Sequence, residues 1–212
     1  MSLTPIAREA FVFFVNQNNP VSDLSIEQIQ DIYTRKITNW SQIGGPDVKI
    51  LPFQRPEDSG SQTTMLKEVM KGREITKPLR DEFVDSMGEM IRGVAHYRDA
   101  AESIGYSFRF FAQNMVTLDP GASPTRTRRG EAYKPSDGTV KLLRINGVEP
   151  SEENIRSGAY PLTVEIYAAT AGTENQRVRE LIDWILSPRG QELVERSGYV
   201  GVKPATANVQ RP

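Results

Sequence analysis

The sequence predicts an α/β fold, and three observations carry that prediction. Apolar runs of strand length alternate with helical stripes from end to end, helix starts carry cap residues, and turn formers fill the connections. The run FVFFV at 11–15 is aromatic and β-branched throughout and closes in NQNNP, which predicts a buried strand. LSIEQIQDIYTRKITNW then predicts a helix that ends and packs near Asn39 and Trp40. Ser25 is its expected cap, Gln28 completes a capping box, Leu24 can staple onto Ile29, and Ile26, Ile29, Ile32 and Tyr33 form its stripe. After the turn IGGPD, VKILPF at 48–53 predicts the next strand.

Met65, Leu66, Val69 and Met70 mark one face of a helix that Gly72 ends. DEFVDSMGEMIRGVAHYR predicts another, with Phe83, Val84, Met87, Ile91, Val94 and Ala95 on its stripe and two glycines, Gly88 and Gly93, working against it. IGYSFRFF at 104–111 alternates as a strand does, and 119–139 has the composition of an exposed loop. VKLLRI and YPLTVEIYAAT predict further strands around a short capped helix in PSEENIRSG. Two helices finish the chain: NQRVRELIDWILS, packed through Trp184, and PRGQELVERSG, with Ser187 as N-cap, Pro188 in the first turn and Gly198 just past the end.

Composition narrows the function. The 212 residues suffice for one large domain or two small ones, and a net charge of -1 gives no footprint for nucleic acid. The absence of cysteine excludes disulfides, thiolate metal sites and a cysteine nucleophile. No apolar run reaches the ~18 residues of a membrane helix, and no signal peptide is visible. Because a strand follows Met1-Ser2-Leu3 almost at once, the chain is expected to be a fragment without its targeting segment.

Chemistry concentrates in RPEDSGSQTT, the connection from strand to helix at 55–64. With Ser59 as N-cap, the amides of Gly60, Ser61 and Gln62 lack intrahelical acceptors and share the positive end of the helix dipole. Gly60 leaves the backbone open to a ligand, Ser59 and Ser61 add hydroxyls, and Arg55 brings a planar cationic fork suited to an oxyanion. Either Glu57 or Asp58 could hold that fork in place. Taken alone, the same residues also describe an ordinary helix cap beside a surface ion pair. The GK[ST] ending of a nucleotide-binding loop is absent.

The wider chain resembles the periplasmic phosphate-binding proteins of ABC importers. NPVSDLSIEQIQDIYTRKITNWSQIGG is similar to that family's I[FY]xGKITNWxxxGG segment, and Arg55, Ser59, Gly60 and Ser61 fall on its arginine and Ser-Gly-Ser/Thr helix start. Glu57 stands where the family often has an aspartate paired with the arginine. The likeness continues through IGYSFRFFA, VKLLRINGVEPSEENIRSGAYPLTVEIYAAT and LIDWILSPRGQELVERSGYVGV. It implies a type II periplasmic-binding-protein-like fold, with one complete α/β lobe plus the C-terminal helices of the other. The implied division is an incoming crossover strand at 1–16, the second lobe with the anion half-site at 17–161, and the return crossover and C-terminal helices at 162–212.

The resemblance further implies a non-enzymatic receptor that binds inorganic phosphate through Arg55, Ser59, Gly60 and Ser61, supported by Glu57, Asp58 and Gln62. It would hand the anion to a membrane permease in an extracytoplasmic compartment, without cofactor, metal, nucleic acid or membrane insertion. The first lobe's aspartate, which in the family accepts the phosphate proton, is not found here, so the fragment is expected to bind phosphate weakly or not measurably, and the full-length protein to bind it tightly. A ligand-sensing domain of a regulator and a receptor for another oxyanion are the alternatives. A hydrolase using Ser59 or Ser61 lacks a base, since the sole histidine, His96, is far along the chain and no GxSxG elbow occurs. Arg126, Arg128, Arg129 and Lys134 form a basic run that reads as a solvated loop, with anion steering or contact with a transporter partner as the minority role.

Overall fold

The computed structural model describes residues 1–96, 102–118, 140–172 and 175–202. The elements are β1 (Ser2–Asn16), β2 (Asp23–Leu24), α1 (Ile26–Tyr33), β3 (Leu51–Pro52), α2 (Gly60–Thr64), α3 (Met87–His96), β4 (Ser103–Phe108), α4 (Arg109–Leu118), β5 (Val140–Leu142), β6 (Arg144–Ile145), α5 (Glu152–Ser157), β7 (Thr163–Thr170), α6 (Gln176–Ile185), α7 (Pro188–Arg196) and β8 (Val200–Gly201). Two compact units result, Phe11–Pro150 and Met1–Ala10 with Ser151–Pro212.

In the unit Phe11–Pro150, the second half of β1 is the centre of the sheet. It pairs antiparallel with β4 from Phe11↔Phe108 to Val15↔Ile104 and with β5 from Phe14↔Leu142 to Asn16↔Val140. β3 adds to the far edge of β4 in parallel, and β2 and β6 form a separate parallel pair. Both faces of this stretch of β1 are covered, so Phe11 to Val15 are fully buried, as a continuous apolar run requires. Helix α1 starts as the sequence predicts. The Gln28 amide donates to Ser25 Oγ at 3.0 Å and the Ser25 amide donates to Gln28 Oε1 at 2.8 Å. Ile29, Ile32 and Tyr33 face the core.

Four expectations are corrected in this unit. Helix α1 stops at Tyr33 rather than near Trp40, because Arg35 turns left-handed (φ 63°) and the Lys36 and Ile37 amides fold back onto Asp31 O. Asn39 and Trp40 instead open a separate 3-10 turn, Trp40–Ile43, capped by the Asn39 side chain. The stretch 104–111 divides, with β4 ending at Phe108 and α4 beginning at Arg109. Helix α3 begins at Met87, behind a Ser86 hydroxyl that accepts the Glu89 amide, so Phe83 and Val84 lie before it rather than on its stripe. Gly93, which lowers helix propensity, is explained by packing: a Cβ there would stand 3.0 Å from the Phe53 ring.

The helix after the Ser-Gly-Ser segment is α2 followed by a π-helical turn, Met65–Met70, and it ends through left-handed Lys71 and Gly72. π-helical turns are rare, and those that occur are found frequently at functional sites. The basic run at 126–134 lies outside the described residues, as does the His96 side chain.

In the other unit, the first half of β1 pairs antiparallel with β7 from Ser2↔Thr170 to Ala10↔Thr163, and with β8 at Ala7 and Arg8. Buried Gln191 on α7 ties these pieces together. Its Nε2 donates to Ile6 O at 3.1 Å and Ile185 O at 3.0 Å, and its Oε1 accepts from the Val202 amide at 2.8 Å. Ser187 caps α7 with Pro188 in the first turn, and Gly198 is left-handed beyond its end, as the sequence predicts. Helix α6 buries no residue, and Trp184 is 45% exposed instead of packed, with Leu181 and Leu193 beside it in exposure.

Candidate functional site

The backbone that delivers Arg55 is tied on both sides. The Phe53 amide donates to Ile104 O at 3.0 Å, Tyr33 Oη donates to Phe53 O at 3.2 Å, and the Gln54 amide donates to Glu82 O at 2.7 Å. The Val84 amide returns a bond to Gln54 O, and Gln54 Nε2 donates to Thr76 O. With residues 53 and 54 fixed, Arg55 is presented at the end of β3 with little backbone freedom left to lose.

Pro56 starts a turn that the Ser59 amide closes on Pro56 O at 3.0 Å. Ser59 then takes the extended conformation of a cap, and its Oγ accepts the Gln62 amide at 3.1 Å. The amides of Gly60 and Ser61 precede any intrahelical acceptor. No packing demand accounts for glycine at 60, since a Cβ there would meet nothing within 4 Å. That is consistent with a position kept open for approach to the backbone.

Two buried donors at this spot have no partner among the described residues, Arg55 Nε and Ser61 Oγ. Leaving such a group unsatisfied costs ~1–3 kcal/mol, so each calls for an acceptor. Arg55 stands before the turn that Pro56 and Ser59 close, and Ser61 lies in the first turn of α2. Glu57 and Asp58 are not brought to the guanidinium. Both are exposed on the turn, and among the described residues neither forms an ion pair with Arg55.

Gln62 carries the support instead. Its Oε1 accepts the Arg55 amide at 3.3 Å and also accepts the hydroxyl of Tyr106, while that hydroxyl oxygen accepts the Arg55 amide at 3.2 Å. Burial raises the Tyr106 pKa well above the usual tyrosine value, so its hydroxyl remains a donor throughout the neutral range. Tyr106 had no part in the sequence reading. Its signal was the period-2 pattern of IGYSF, which puts Ile104, Tyr106 and Phe108 on one face, and the need of any buried tyrosine hydroxyl for a partner.

A second polar feature of this unit is the fully buried Glu82, whose Oε2 pairs with Arg35 and accepts the Leu79 amide at 2.7 Å. A cavity of about 340 Å³ beside it is lined by Lys49, Leu51, Leu79, Arg80, Asp81, Glu82 and Glu102, none of them a predicted site residue. Among the described residues no cluster of three or more acidic or histidine side chains could hold a metal, and no helix is long and apolar enough to cross a membrane.

The chain is similar to known proteins along most of its length. The PBP superfamily domain matches residues 1–189. The phosphate-binding protein PstS of Bacillus subtilis is 27% identical over 190 residues, covering 89% of this chain and 53% of the relative. The phosphate-binding protein PstS of Borreliella burgdorferi is 27% identical over 206 residues, covering 94% of this chain and 66% of the relative. The chain thus spans between half and two thirds of the length of these relatives. Among solved structures, one from Clostridium perfringens assigned as a phosphate ABC transporter substrate-binding protein, with bound phosphate, is 26% identical with a TM-score of 0.71. It is matched over 95% of this chain and 72% of its own. PstS from Borrelia burgdorferi is likewise 26% identical, with a TM-score of 0.67, over 96% of this chain and 73% of that one.

Proposed function

Because the chain belongs to the PBP superfamily domain family, we propose that it carries an inorganic phosphate half-site at Arg55, Ser59, Gly60 and Ser61. The observation that carries this reading is the pair of buried, unpartnered donors, Arg55 Nε and Ser61 Oγ, at the start of a capped helix. Four roles follow from the chemistry. The Arg55 guanidinium supplies charge and a planar pair of donors. The Gly60 and Ser61 amides supply fixed dipoles at no reorganisation cost, and the Ser61 hydroxyl supplies a further donor. Ser59 shapes the turn by accepting the Gln62 amide at its Oγ, and its own hydroxyl proton stays available to donate to the anion.

Within this proposal the protein is a solute receptor rather than an enzyme, working outside the cytoplasm and delivering phosphate to the permease of an ABC importer. The division into an incoming crossover at 1–16, a lobe at 17–161 and a return crossover with C-terminal helices at 162–212 belongs to the same proposal, whereas the compact units themselves divide at Ala10 and Pro150. Gly60 is exposed and Arg55 is only partly covered, so water competes for the anion and charge-assisted bonds lose much of their strength. The 212-residue chain is accordingly expected to bind phosphate weakly, and a form with the additional length of its relatives to bind it tightly.

Isothermal titration of inorganic phosphate into the chain, with sulfate as competitor, tests the reading. Weak binding that Arg55→Ala abolishes is the expected result. Phosphate affinity that survives the substitution would remove these residues from the site.

A further inference from the structure

Tyr106 sits in an aromatic cluster that does not need its hydroxyl. Its ring centroid lies 5.5 Å from Phe11, 6.0 Å from Phe13 and 5.8 Å from Tyr33, contacts that a phenylalanine ring would make equally well. A hydroxyl buried in such surroundings loses its water and is tolerated only when bonded. Here both of its bonds go to the segment that carries the proposed anion donors, one to the Arg55 amide and one to Gln62 Oε1. Gln62 in turn joins the Arg55 amide to the Ser59 cap. The three groups close a triangle between the end of β3, the start of α2 and the middle of β4.

We infer that Tyr106 is a positioning residue for the oxyanion site: its hydroxyl locks the Arg55 backbone and the Gln62 side chain together, so that the guanidinium is held beside the helix start. This rests on the phosphate reading given above. The mechanism is a reduction of ordering cost. An arginine whose own backbone is fixed loses fewer conformations when it meets an anion, and its donors need less rearrangement. Tyr106 itself touches no ligand in this scheme, because its hydroxyl is used on both sides by protein groups.

Tyr106→Phe tests this with two readouts, amide hydrogen exchange of Arg55 without ligand and titration with inorganic phosphate. The expected result is faster exchange at Arg55, unchanged protection in α1, and phosphate binding about tenfold weaker than wild type. Tyr160→Phe, which alters a buried tyrosine of the other unit, is expected to keep the wild-type dissociation constant. Gln62→Leu removes the shared acceptor and gives the same pair of changes, which keeps the test decisive if Tyr106→Phe folds poorly. Wild-type affinity in both variants overturns the inference while leaving the phosphate site intact. A wild-type chain with no phosphate binding at all overturns the site, and the positioning role with it.

Discussion

Arg55 and the two tyrosines near it show how single residues divide the work. Arg55 is given its place by neighbours that use its backbone, which leaves the side chain Nε unpartnered for an acceptor. Tyr33 and Tyr106 are both buried, and burial raises both pKa values, with their mutual proximity adding to the effect at Tyr33. The sign of the linked stability follows. The folded state holds these protons more tightly than the unfolded chain, so their contribution is complete below about pH 10 and is lost as pH rises toward the folded values. Denaturant midpoints measured from pH 8 to about pH 11.5 should therefore fall steeply above pH 10. Tyr33→Phe should be less stable at pH 8 by ~1 kcal/mol, for the lost bond to Phe53 O, and its midpoint should then fall less steeply. Parallel curves for the two proteins would contradict this.

At the scale of elements, close approach decides which residues are tolerated. Gly190 opens α7 against the end of α6, where a Cβ would stand 2.2 Å from Trp184 O and 2.4 Å from Ile185 O. Gly190→Ala must push the helices apart, at a cost of ~1–3 kcal/mol, and thermal unfolding followed by circular dichroism should show a clear drop in midpoint. An unchanged midpoint would mean that α6 and α7 do not meet as described. Elements defined by local chemistry were legible in the sequence. The Ser25 box, the Ser187–Pro188 start and the left-handed Gly198 all follow from bonds within a few residues. The end of α1 was not legible, because the left-handed Arg35 is held by Glu82, a residue 47 positions away. Distant partners likewise hid the role of Tyr106, whose hydroxyl meets the Arg55 amide and Gln62 Oε1. For the site, the sequence marked Arg55 and the Ser-Gly-Ser start through local capping and the family resemblance. It overstated Glu57 and Asp58, because the Pro56–Ser59 turn leaves them exposed, a matter of backbone direction that composition does not encode.

Across the whole molecule, apolar surface is distributed unevenly between the two units. The unit Phe11–Pro150 has a deep core of edge-on and tilted aromatics around β1, whereas α6 of the other unit buries nothing and exposes Leu181 and Trp184. The two tryptophans report on this directly. Trp40 is fully buried with its Nε1 donating to Glu102 O at 3.0 Å, and Trp184 is 45% exposed. Trp40→Phe should leave red-shifted emission that acrylamide quenches readily, and Trp184→Phe should leave blue-shifted, shielded emission. Equal quenching of the two variants would contradict the exposure of α6.

The central claim is that the strand end and helix start at 55–62 form an oxyanion half-site, and its most direct test is localised. The ¹⁵N-labelled chain, titrated with inorganic phosphate, should show saturable shifts at the Gly60 and Ser61 amides and at Arg55 Nε, all lost in Arg55→Ala. Shifts that map to other residues, or that persist in Arg55→Ala, would contradict the account.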